Sequence, residues 1–162
     1  MATQVVDHSA LKVNQTGIIV TVLIAFIGSA FYRPALFLIP LLAIVLLVGT
    51  FAPRYAFFKQ LYFQVLKPRG IVKPRPVQDR PEPHNFAQGL GGVFLTISSL
   101  LIFAPLLTGN FRPDSTLLIS YVFGLALALI VAVLAFVNLA FGYCLGCQIY
   151  FQLGKRGLIR AS

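Results

Sequence analysis

The chain of 162 residues is 58% hydrophobic and only 10% charged, with a net charge of +9 at pH 7 and a mean hydropathy of +0.87. Soluble domains carry roughly a quarter charged residues, so these proportions exclude a water-soluble globule, a disordered chain and a collagen-like fibre. They fit an integral membrane protein, and the length suits about four spans with their connections.

The expected fold is all-α, with four transmembrane helices arranged as two tandem helical-hairpin repeats. An interfacial amphipathic helix is expected after span two, and an extended last helix after span four. The first repeat covers residues 1–70. Its spans, at about 13–31 and 35–51, are separated by Tyr32-Arg33-Pro34, a turn tight enough to force an antiparallel hairpin. Pro40 should kink span two unless it falls in the first helical turn. Residues 55–66 combine aromatic side chains with Lys59 and two glutamines, a pattern suited to the headgroup region or to a cytoplasmic extension of span two.

A basic cytoplasmic connector over 71–85 contains Pro74, Pro76, Pro81 and Pro83, a density that favours an extended, polyproline-like path. The second repeat covers 86–162. Its first span runs over about 86–107, with Gly89, Gly91 and Gly92 near the start. Span four, about 117–143, follows Pro113-Asp114-Ser115, which reads as an N-cap. The helical pattern then continues to about 153, farther than a bilayer is thick at ~1.5 Å per residue. Only Lys12 is basic ahead of the first apolar run and no small-residue cleavage site follows it, so the first span is expected to stay in the mature protein.

Two strings carry the repeat. Gln60-Leu61-Tyr62-Phe63-Gln64-Val65, followed by Lys67 and Arg69-Gly70, matches Gln148-Ile149-Tyr150-Phe151-Gln152-Leu153, followed by Lys155-Arg156-Gly157. Gln15-Thr16-Gly17 loosely echoes Gln88-Gly89-Leu90-Gly91. Two-span units insert the same way and would be related by an axis along the membrane normal.

Orientation follows from the cations. All of the 13 except Arg33 and Arg112 lie in the N-terminal tail, the central connector or the C-terminal tail. Positive-inside placement then puts both termini and the connector in the cytoplasm, and the expected location is the inner (plasma) membrane. Beside apolar segments such cations serve topology and anionic lipid, the bilayer being the first partner; no basic stripe interleaved with aromatics points to nucleic acid.

Cys144 and Cys147 form a Cys-x-x-Cys found in only one of the two repeats. That spacing suits a redox dithiol or half of a metal site, and equally a pair of small apolar packing residues. On a continuous helix the sulfurs would share a face but lack the N-terminal dipole that favours a thiolate, unless the helix breaks near Gly142. His8 and His84 are the other candidate metal ligands and are expected in flexible segments far from the cysteines, as solvated interfacial residues. No cofactor is expected. No acid, Lys, Arg or His falls at depth in a span, which weighs against pumps and ion-coupled transporters and against a histidine-ligated haem. Asn138, six residues before Cys144, needs a polar partner in lipid, most simply another helix.

The block Phe141-Gly142-Tyr143-Cys144-Leu145-Gly146-Cys147-Gln148-Ile149-Tyr150 resembles the Phe-Cys-Leu-Gly-Cys-Glu-x-Tyr signature of a bacterial membrane family, domain of unknown function 4395. Val6-Asp7 and Phe86-Ala87-Gln88 fit as well, so the resemblance covers nearly the whole chain. His84-Asn85 stands where that family tends to have Pro-Arg, Gln148 replaces its acid, and residues 12–15 match it poorly. Members are often encoded near thioredoxin-like and sulfurtransferase proteins, so the resemblance implies thiol or sulfur chemistry without an established activity.

The expected function is thus thiol redox or sulfur relay, with Cys144 and Cys147 exchanging with a cytosolic thioredoxin-like or sulfurtransferase protein. Two rivals stand beside it. One is a non-catalytic accessory or scaffold subunit of a larger membrane complex; the other is passive solute transport.

Overall fold

The structure is a computed structural model describing residues 4–104 and 115–157. Among these, four helical segments are long and apolar enough to cross a membrane, at His8–Phe31, Arg33–Phe51, Pro81–Ile102 and Thr116–Phe141. The elements are β1 (Gln4–Asp7), α1 (His8–Phe31), α2 (Leu38–Phe51), α3 (Phe57–Leu61), β2 (Pro76–Asp79), α4 (Pro81–Ile102), α5 (Ser115–Phe141) and α6 (Leu145–Lys155).

Local chemistry sets their boundaries. The Asp7 side chain accepts from Ser9 N–H at 3.1 Å and caps α1. At the other end Tyr32 N–H bonds to Gly28 O, and Arg33–Phe37 forms a 3₁₀ turn that reverses the chain into α2. Pro40 sits in the first turn of α2, the part of a helix where a missing N–H costs least. The proposed Pro113-Asp114 part of the α5 cap, and the end of the third span beyond residue 104, lie outside the described residues.

Helix α2 packs on α4, α4 on α5, α5 on α1, and α1 on α2, closing a four-helix bundle. Its centre is filled by Val22 and Ala25 of α1, Ile39 and Leu46 of α2, Leu95 of α4 and Ala128 of α5. Ile24, Leu41, Leu100 and Phe136 face outward and are exposed. Apolar side chains on both the inner and outer faces suit a bundle solvated by hydrocarbon, where small residues and short hydrogen bonds hold helices together. One such bond runs from Ser98 Oγ to Gly124 O at 2.6 Å.

The structure is predominantly helical, consistent with the expected all-α class, and two details of that expectation are corrected. The connector is not polyproline-like throughout: β1 and β2 pair antiparallel, with Gln4 opposite Asp79 and Asp7 opposite Pro76. The connector is therefore extended only in part. Pro76 begins a strand, while Pro81 and Pro83 lie in the first turn of α4, the place in a helix that tolerates proline best. The ladder is reinforced by His8 N–H to Arg75 O at 3.0 Å and Ser9 Oγ to Lys73 O at 2.7 Å.

Nor does the last span run on to about residue 153. It stops at Phe141, and Gly142 takes a positive φ of 68° while its N–H bonds to Asn138 O. Glycine adopts that left-handed conformation without the Cβ clash that other residues meet. Residues 142–144 then leave the helical path and α6 starts afresh at Leu145.

Candidate functional site

The break at Gly142 determines what the cysteines do. Cys144 becomes the N-cap of α6, in extended conformation, and its Sγ accepts the Cys147 N–H at 3.2 Å. The two are joined as a disulfide, with Cα atoms 5.2 Å apart, inside the normal range for a bridge. Cys144 is partly exposed, whereas Cys147 is buried. The dipole of α6 and its first free N–H groups thus point at the more accessible sulfur and favour negative charge there.

Helix α6 lies against α4 because Gly146 has no side chain. A Cβ there would come within 2.8 Å of the Ala87 Cα. Farther along, Tyr150 rests on Phe86 with ring centroids 5.6 Å apart. This close approach brings Cys147 Sγ to 3.7 Å from His84 Nδ1. On its other side the His84 ring reaches Asp79 Oδ2, 3.1 Å from Nε2, and the same oxygen lies 3.2 Å from His8 Nε2. An ionised carboxylate only accepts, so both Nε2 atoms carry the proton and a neutral His84 presents a lone pair at Nδ1 to the sulfur.

Asp79 is held below the usual carboxylate range. Desolvation pushes its carboxyl up, but hydrogen bonds from His84, Arg80 N–H and His8, with the charge of His84, outweigh that and lower it below its ordinary value. Asp7, opposite the other end of the ladder, is lowered in the same way. Desolvation is opposed there by bonds from Arg75 N–H, the Tyr62 hydroxyl and Ser9 N–H, and by Lys67. Tyr62, fully buried, donates to Asp7 Oδ2 at 2.9 Å, and burial followed by that carboxylate pushes its hydroxyl up. The Asp7 knot fastens the N-terminal strand, the connector and the segment after α3 to one another, and so fixes where Asp79 and His84 stand.

Four sequence-derived candidates therefore meet at one end of the bundle, in unequal roles. His84, Cys144 and Cys147 present ligand-type atoms within 4.8 Å of one another. His8 lies beyond Asp79, its ring centroid 6.2 Å from that of His84, and does not join them. Neither histidine is a loose interfacial residue, because both are anchored in first helical turns on one carboxylate. Asp79 itself was missed by sequence reasoning. The available signal was scarcity: with four acids in the chain, one placed five residues before a histidine merits notice.

In chemical terms, a helix-capping disulfide, a buried sulfur with an imidazole behind it and four helices able to cross a bilayer define a multi-pass membrane-type protein with a candidate dithiol site. Residues 6–155 match the family model described as Domain of unknown function (DUF4395), and the chain belongs to that family. No curated protein and no solved structure matches it.

Proposed function

We propose that the chain is a membrane thiol–disulfide exchange protein whose working pair is Cys144 and Cys147. The carrying observation is the cap itself: Cys144 Sγ receives the Cys147 N–H while Cys147 backs onto His84 and Asp79. A thiolate of a partner dithiol attacks Cys144 Sγ, the Cys144–Cys147 bond breaks, and Cys147 leaves with the electron pair. His84 Nδ1 is positioned to exchange the proton that this sulfur takes up. The partner's second thiolate then displaces Cys144, so the partner leaves as a disulfide and the pair remains as two thiols.

The partner class we favour is a cytosolic thioredoxin-like or sulfurtransferase protein. The cation distribution supports cytoplasmic termini and an inner-membrane location, with the dithiol at the cytoplasmic face. Duplication of a hairpin unit is part of the same reading. Strands β1 and β2 hold corresponding places ahead of α1 and α4 and pair antiparallel, an arrangement compatible with a two-fold axis between the units. Likewise α3 rests on α1 as α6 rests on α4, so the cysteines stand at one of two related helix starts.

The test is equilibration of the purified protein with glutathione buffers, counting thiols by mass after maleimide labelling. Two thiols should appear together at one potential, and a Cys144→Ser variant should leave Cys147 unable to exchange with a dithiol partner. A pair that stays unchanged across the glutathione range and in the presence of thioredoxin would overturn the reading.

A further inference from the structure

Beside the cysteines the bundle holds a cavity of about 420 Å³, bounded mainly by α1, α4 and α5, with Leu46 of α2, Lys59 of α3 and the start of α6 completing the wall, and reaching from Cys144 inward to Phe94. At ~1.5 Å per residue, the stretch of α4 from His84 to Phe94 makes it roughly 15 Å deep. Its inner wall is apolar, formed by residues such as Ile18, Leu46, Phe94 and Val131. Polar groups interrupt that wall at Asn14 and Gln88, whose amides are engaged with each other and with Leu46 O, and at the Cys144 end Lys59 Nζ donates to Asn85 Oδ1 at 3.3 Å. Asn138 lies in the same wall, yet its side-chain amide makes no hydrogen bond among the described residues, contrary to the expectation of a helix partner. Volume and lining are those of a small-molecule site, an apolar chamber with a few donors at one end. No acid lines it, so a polyvalent cation has no ligand there, and its apolar depth disfavours a free anion.

The occupant must suit a dithiol that works repeatedly. An exchange protein that oxidises partners has to lose two electrons each cycle, to an acceptor that reaches Cys144 from an apolar space. Resting on the thiol-exchange reading, we propose that this cavity binds a lipid-soluble quinone, its ring carbonyls accepting hydrogen bonds from the Asn138 amide and the Lys59 ammonium and its tail lying along the apolar wall. The step balances: two thiols and one quinone give the Cys144–Cys147 disulfide and one quinol. The two sulfurs lose two electrons in forming the S–S bond, and the two thiol protons end on the quinone oxygens, one passing by way of His84.

The experiment uses the full chain in detergent, reduced, freed of reductant under anaerobic conditions, and mixed with a fully ring-substituted, short-tailed benzoquinone that thiols cannot arylate. Quinone absorbance and free thiols are followed together. One quinol per disulfide, at a rate that saturates with quinone, is the expected result. Two variants address the cavity, Gly91→Leu, whose side chain would project into it, and Asn138→Leu, which removes a donor at nearly constant volume. Each should raise the half-saturating quinone concentration by about tenfold or more, the size of one lost hydrogen bond or good contact. A rate linear in quinone and equal in all three proteins would overturn the proposal, as would occupation by detergent or lipid that quinone fails to displace. Glutathione exchange by the wild type separates the two readings: exchange without saturable quinone reduction defeats the quinone site alone, and no exchange defeats its parent.

Discussion

His84 Nδ1 lies 3.7 Å from Cys147 Sγ, although 63 residues separate the two in the chain. Nothing in α4 or α6 alone requires that contact. It exists because Gly146 lets the two helices touch and because Asp79 holds the imidazole by its far nitrogen.

Removing the imidazole should therefore slow exchange without preventing disulfide formation. A His84→Ala variant is expected to react about 100-fold more slowly at pH 7, the lower range for loss of a positioned acid–base group. Asp79→Asn should fall between that variant and the wild type, since the ring survives but its orientation and tautomer are no longer enforced. Stopped-flow exchange with a dithiol partner across pH checks both, and a pH profile identical to wild type would assign His84 a packing role only.

Contact between α4 and α6 can be tested by complementary substitutions. Gly146→Ala places a methyl group against the Ala87 backbone and should destabilise by about 1–3 kcal/mol, as overpacking does. Ala87→Gly removes the facing Cβ, the nearest atom that methyl meets, and should return part of the loss in the double variant. Denaturant unfolding in detergent measures stability, while the exchange rate reports whether Cys147 has returned to His84.

The two carboxylates predict acid sensitivity. Their folded pKa values are depressed, so their stabilisation is complete above the unfolded carboxylate value of about 3.9 and is lost as pH falls through the lower folded values. Unfolding free energy should thus decline with acid below about pH 4. Asp7→Asn and Asp79→Asn should each flatten that decline. Tyr62→Phe, which leaves Asp7 one bond short, should cost about 1–2 kcal/mol at neutral pH.

Orientation is read from thiol labelling. On intact cells treated with a permeant reductant, a membrane-impermeant maleimide should fail to modify Cys144 from outside and should label it in inverted vesicles. Labelling from outside would reverse the orientation and with it the cytosolic partner.

The four helices long and apolar enough to cross a bilayer were legible from the sequence because that capacity depends on summed transfer free energy: runs such as 35–51 and 117–141 carry no charged residue, whatever they pack against. The Tyr32-Arg33-Pro34 reversal was legible for a similar reason, since a proline in a short polar gap acts locally. Gly142 was the ambiguous case. Its sequence permits either a continuous helix or a break, and the choice depends on whether α6 gains more by folding back onto α4 than the helix loses by stopping. Only the tertiary structure decided that, and with it whether Cys144 sits mid-helix or at a cap. The pairing of β1 with β2, and the line from His8 through Asp79 and His84 to Cys147, were equally out of reach. They depend on contacts between segments more than sixty residues apart, which local propensity and hydropathy do not encode.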